Sequence, residues 1–160
     1  IFMFYSNIAA LIPFYDTYGQ NSTCILFKDG SKEYASCSIK NYIYRMLYTL
    51  HLDPKAIRHW TYQVTGSKLN TPVVIDEHLI FLPVKLRKGV GKQDGCFGYV
   101  NNSCILTIED NQLILTNNNS LPTLSPKSYI LHKQNTAKLL GYAYVDYKKQ
   151  FEFMWKEKTT

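Results

Sequence analysis

Apolar and polar positions along the chain change period twice. From Ile8 to Tyr15 they alternate weakly and predict a strand, with Pro13 expected at a sheet edge or strand end because it brings no N–H to a ladder. Ser22 to Lys28 (STCILFK) predicts a stronger strand. Asp29-Gly30 closes it as a turn, and Lys32 to Ala35 is the expected short return strand. The period then lengthens. Ile39, Tyr42, Ile43, Met46, Leu47 and Leu50 recur at helical spacing behind a capping Ser38. Asp53-Pro54 reads as an N-cap followed by proline at the first helical position. It opens a second helix, Lys55 to Tyr62, which Gly66 stops.

After Pro72 the period returns to that of a sheet. Val73 to Ile75, Leu79 to Leu82, Gly98 to Val100, Cys104 to Glu109 and Gln112 to Thr116 are the expected strands, and Asp110-Asn111 is a two-residue turn between the last two. Ser125-Pro126 begins a helix that places Tyr129, Ile130, Lys133, Ala137, Leu140 and Tyr144 on one side. From Lys148 to Thr160 charged and aromatic residues alternate, which fits either a helix extension or a final strand. No internal repeat or low-complexity linker divides the chain. The expected fold is α+β, with a mostly antiparallel sheet and two to three packed helices in a single domain over residues 1–160.

Composition narrows the function classes. No run of roughly 18 apolar residues exists, so no membrane span is expected. Ile1 to Tyr5 is apolar but lacks a basic flank and a small-residue cleavage site, so it does not read as a signal peptide. The chain begins at Ile1 rather than Met, which leaves the true N-terminus open. Eighteen Lys and Arg against 12 acids give a net charge of +6, which suits an anionic partner such as nucleic acid. The many Tyr and Asn match phosphate-contacting residues, but an AT-rich genome gives the same excess. Cys24, Cys37, Cys96 and Cys104 form no CxxC pair and so suggest no zinc site. Each lies in or beside an apolar or β-branched run. Reduced, mostly buried thiols in a cytoplasm are expected, with two disulfides as the alternative.

Four constellations carry candidate chemistry. Lys85 to Gly95 (KLRKGVGKQDG) sets four cations and three glycines between two strands. Cations neutralise phosphates and glycine permits close backbone approach, so such a loop suits a narrow A·T minor groove; a solvated hairpin loop is the other reading. It lacks the GxxxxGK[ST] pattern of a P-loop. Second, Lys55, Arg58 and His59 share a short helix that Lys68 follows, and the two helices with their short connection suggest a helix-turn-helix or, equally, an amphipathic pair on a sheet. Third, Cys96 with His78, Asp76 and Glu77 has the residue types of a thiol hydrolase, yet no catalytic signature surrounds the cysteine. Fourth, Phe151, Phe153 and Trp155 alternate with Lys149, Lys156 and Lys158 in a pattern that serves base stacking or packing on the core or a second subunit. His51, His59, His78 and His132 show no metal-binding spacing.

The order of pieces from Thr71 to Leu140 resembles the ComK family of competence transcription factors. Thr71-Pro72-Val73-Val74-Ile75, Ile80-Phe81-Leu82-Pro83, Cys96-Phe97-Gly98-Tyr99-Val100 and Ser128, Gln134, Ala137 and Leu140 fall in the family's slots in sequence order. Two departures stand out. The family's Gly-Ser-Ser and Gly-Arg segment has no counterpart between Cys37 and Thr71, and Gly98 stands where an aromatic is expected, beside Tyr99.

The resemblance implies a DNA-binding activator of competence genes, acting in the cytoplasm at the nucleoid. It would bind paired A/T-rich boxes of double-stranded DNA as a homo-oligomer and be turned over through an adaptor of a Clp-type protease, with no catalysis, cofactor, metal or membrane. The expected DNA contacts are Lys85, Arg87, Lys88 and Lys92, followed by Lys55, Arg58 and Lys68. Most of these would position the protein on phosphates, with Arg87 the candidate base reader. The alternative is a non-catalytic protein-interaction module whose basic surface meets an acidic partner.

Overall fold

The computed structural model describes the backbone of residues 1–89 and 95–159 and the side chains of residues 1–89 and 95–156. It is an α+β fold. A short helix α1 (Phe2–Ser6) leads into strands β1 (Ile8–Tyr15), β2 (Asn21–Phe27) and β3 (Lys32–Ala35), then helices α2 (Ile39–Thr49) and α3 (Pro54–Thr65). Strands β4 (Val73–Asp76), β5 (Leu79–Lys85), β6 (Phe97–Asn101), β7 (Ile105–Ile108), β8 (Gln112–Leu115) and β9 (Ser120–Pro122) follow, and helix α4 (Lys127–Thr159) closes the chain.

A six-stranded antiparallel sheet, ordered β3-β2-β1-β6-β5-β4, joins two meanders through the β1–β6 ladder, and β7-β8-β9 form a smaller sheet. Strand β5 shows how the large sheet divides its faces, because successive side chains point to opposite sides. Leu79 and Phe81 join Ile43, Met46 and Leu47 of α2 in one core. Ile80, Leu82 and Val84 join Leu113 and Leu115 of β8 and Ile130, Ala137 and Leu140 of α4 in the other. The large sheet therefore lies between a helical layer (α2 with α3) and a mixed layer (the small sheet with α4).

The helix boundaries follow their caps. The Ser38 side chain accepts from Asn41 N, and the Asp53 carboxylate accepts from Lys55 N with Pro54 in the first turn. Gly66 ends α3 at φ 72°, a left-handed conformation that glycine adopts without a Cβ penalty. Helix α3 lies toward the β4 edge, where Ile57 reaches one core and Trp60 the other; Trp60 meets Tyr144 of α4 edge to face.

Pro13 corrects one expectation. It sits in an inner strand, paired with Thr23 of β2. The β1–β6 ladder pairs Ala10 with Val100 and Leu11 with Tyr99, so Pro13 stands beyond its end and no β6 hydrogen bond is lost. The C-terminal segment is helix rather than strand: α4 runs for 33 residues, or about 50 Å. Its last turns expose Phe151, Phe153 and Met154. Among the described residues no helix is long and apolar enough to cross a membrane.

Candidate functional site

The basic glycine loop grows from the open end of the β5–β6 hairpin. Lys85 pairs with Phe97, and the amides of Leu86 and Arg87 both donate to Cys96 O, at 2.9 and 3.3 Å. Lys85 is held by its backbone: its N–H donates to Ser125 Oγ at 2.9 Å and its carbonyl accepts from Leu124 N at 2.8 Å. Its side chain is exposed, and as the cross-strand neighbour of Phe97 it emerges on the same face.

Arg87 turns inward. Its Nε donates to Gly95 O at 2.9 Å, its Nη2 donates to Asn21 Oδ1 at 2.6 Å, and the guanidinium lies 4.3 Å from the centre of the Tyr15 ring. This geometry ties the returning end of the loop to the β1–β2 turn region, so the group singled out as a base reader is occupied inside the chain. Lys88 is exposed. Lys92 lies outside the described residues.

Beside the loop is a cleft of about 350 Å³, enclosed by α2, α3, residues 68–73 and β6. Lys40, Arg58 and Lys68 border it, and Gly95 brings the end of the basic loop to the same place. Tyr44, Phe97 and Tyr99 contribute aromatic surface, and no acidic residue is among the described lining residues. Arg58 Nη2 donates to the Tyr44 hydroxyl at 2.6 Å, which fixes the guanidinium at the rim. Lys40 Nζ lies 5.7 Å from the Tyr44 ring centre and Lys68 Nζ 4.8 Å from that of Tyr62. Aromatic faces hold both ammonium groups without neutralising them. Burial raises the pKa of the Tyr99 phenol despite the opposing Arg58 charge. Next to the cleft, Lys133 Nζ donates to Asn70 O at 2.6 Å over the Tyr129 ring, and burial lowers its pKa.

The structure thus brings Arg58, Lys68 and the end of the basic loop together. It adds Lys40, Tyr44, Phe97 and Tyr99, which the sequence reading did not select. Lys40 and Tyr44 stand one helical turn apart, and that spacing is the signal that marks them as neighbours. Lys55 is exposed in the first turn of α3 and does not line the cleft.

The Cys96, His78, Asp76 and Glu77 set is not assembled. Cys96 flanks Phe97, which pairs with Lys85 at one end of β5, while the other three occupy the turn at its opposite end. The length of β5 separates them, about 20 Å at ~3.3 Å per residue. Asp76 instead accepts from His78 N, and Glu77 faces Lys148. All four cysteines are free; Cys24, Cys37 and Cys104 are buried and Cys96 is half-buried. Among the described residues no group of three or more His, Cys, Asp or Glu side chains is placed to hold a metal ion. No family model, curated protein or solved structure matches the chain.

Proposed function

We propose that this protein binds duplex DNA through the helical face of its large sheet and acts as a transcription activator of the ComK type. The observation that carries the reading is the convergence of cations from separate chain segments on one face. Lys40 comes from α2, Arg58 from α3 and Lys68 from the following loop, all at the border of a cleft with no acid among its described lining residues, and Lys85 emerges from β5 on the same face. Such a face releases counterions from the DNA backbone, which makes affinity steeply salt-dependent. The loop beyond Lys85 supplies Lys88 and Lys92 for phosphates or an A·T-rich minor groove, whose negative potential is strongest where it is narrow. Arg87 acts in this reading by anchoring the loop. The resemblance between Thr71 and Leu140 supports promoter binding at paired A/T-rich boxes by a homo-oligomer at the nucleoid.

The test is binding to two labelled duplexes across a salt series, one with spaced A/T-rich boxes and one G·C-rich. Tighter, salt-sensitive binding to the A/T duplex is expected, and replacing Lys85 or Arg58 with Ala should each reduce the slope of log K against log salt by about one. Absence of binding at low salt overturns the proposal in favour of an interaction module for an acidic protein.

A further inference from the structure

We infer that the cleft between α2, α3 and β6 is a binding site for a mononucleotide-sized aromatic phosphate, separate from the loop's contacts with duplex DNA. Its volume of about 350 Å³ falls at the small end of ligand pockets, which commonly span ~300–1,000 Å³. Two chemistries meet in it. Arg58, Lys68 and Lys40 offer cationic donors at its border, and no described acid offsets them. Phe97 and Tyr99 offer ring surface from β6, and Ile43 and Ile57 add apolar lining from the helices.

A cation cluster alone accepts any anion, and an apolar cleft alone accepts any oily group. The pair together selects a flat ring that carries an anionic group. Arg58 is held in place by Tyr44, so its remaining N–H groups are oriented before a ligand arrives. A planar guanidinium so placed suits a phosphate's two oxygens. The Tyr99 phenol at the cleft wall adds a neutral hydrogen-bonding group.

The cleft shares Arg58 and Lys68 with the proposed duplex face but not Lys85 or Lys88, and calorimetry on the full chain at low salt separates the two. Adenosine monophosphate should bind, with adenosine and inorganic phosphate each weaker by about tenfold or more, the loss of one charged hydrogen-bonding group or of the stacked ring. Lys68→Ala and Arg58→Ala should each weaken the monophosphate severalfold, whereas Lys148→Ala, remote from the cleft, should leave it unchanged. Lys85→Ala with Lys88→Ala should weaken duplex DNA and spare the monophosphate. Equal binding of monophosphate and inorganic phosphate overturns the inference, as does indifference to both cleft substitutions. A chain that binds duplex but not the monophosphate loses this inference alone. One that binds the monophosphate but no duplex loses only the DNA reading. Displacement of bound monophosphate by a 5′-phosphorylated single strand assigns the occupant to a strand end, and failure to displace assigns it to the free nucleotide.

Discussion

The two faces of the six-stranded sheet are made from the same strands and are used differently. On the closed face, Leu82, Val84 and Val100 meet Leu113, Leu115, Ile130 and Leu140, and each of these is fully shielded from water. On the helical face, α2 covers Phe81 and Leu11 with Ile43, Met46 and Leu47; Tyr99 packs at the margin of that core and, with Phe97 beyond it, lines the cleft. Alternation along a strand gives both faces apolar residues; the reach of the covering layer decides which one is left with a cleft. A closed face tolerates almost no change of shape, whereas a partly covered face keeps charged and aromatic groups at its border.

The largest effect is expected where the closed face is tightest. Gly98 lies between Phe97 and Tyr99 and points to the opposite side from them. A Cβ built there would stand 2.3 Å from Leu11 O and 2.5 Å from Leu86 Cδ1, with Pro13 Cδ at 3.1 Å. A backbone oxygen cannot yield as a flexible side chain does. Gly98→Val should therefore cost more than ~3 kcal/mol or prevent folding, as overpacked and strained cores do. Urea unfolding measures it, and a loss under ~1 kcal/mol would show that β1 and β6 separate easily. The same contact explains why an aromatic is not accommodated here, while Tyr99, one residue on, turns to the cleft.

A smaller effect tests both faces at once. Tyr42, against the helical core, and Tyr129, against the closed core, each have a pKa pushed up to about 12 by burial. The folded protein therefore holds both protons at pH values where unfolded tyrosines, with an ordinary pKa of ~10, release theirs. Their contribution to stability is intact below pH ~10 and is lost as pH rises toward 12. Denaturant midpoints measured across that window should fall. Tyr129→Phe should flatten the fall and should not destabilise at neutral pH, because the buried Tyr129 hydroxyl has no described partner. A midpoint that holds steady to pH 12 would mean that both phenols ionise in the folded state.

Much of this architecture is legible in the sequence, because its signals are local. Ser38, Asp53-Pro54 and Gly66 mark helix ends by satisfying or terminating backbone groups within a few residues, and the Asp110-Asn111 turn is closed by Glu109 N donating to Gln112 O. The inner position of Pro13 is not legible, since it depends on where the distant strand β6 stops pairing. Nor is β9, a short strand that gains its ladder only from β8. The cleft is harder still. Arg58 and Lys68 stand out as cations, but Lys40, Tyr44 and Phe97 acquire meaning only when segments far apart in the chain meet. Periodicity does distinguish the face on which Phe97 and Tyr99 lie. It does not reveal that the helical layer leaves them at the border of an opening.

The smallest effect concerns how α4 is held outside its core. Lys148 Nζ lies 3.5 Å from Glu77 Oε1, with side chains 47% and 24% exposed, and is 5.7 Å from the Tyr144 ring centre. The Glu77 carboxyl has a lowered pKa, but its own backbone amide is the main cause and Lys148 contributes less. Removing the lysine therefore leaves the dominant stabiliser of that carboxylate in place. An exposed pair of this geometry is also screened by salt and pays for ordering a long side chain. Lys148→Ala should cost less than ~0.5 kcal/mol in urea unfolding at neutral pH. Because the carboxylate's pKa is lowered in the folded state, even that difference should shrink as pH falls through its titration and the charge is lost. A cost above ~1 kcal/mol that persists in high salt would place the hold on α4 at this rim contact. The expected small cost leaves that hold with Ile130, Ala137 and Leu140 against the closed face.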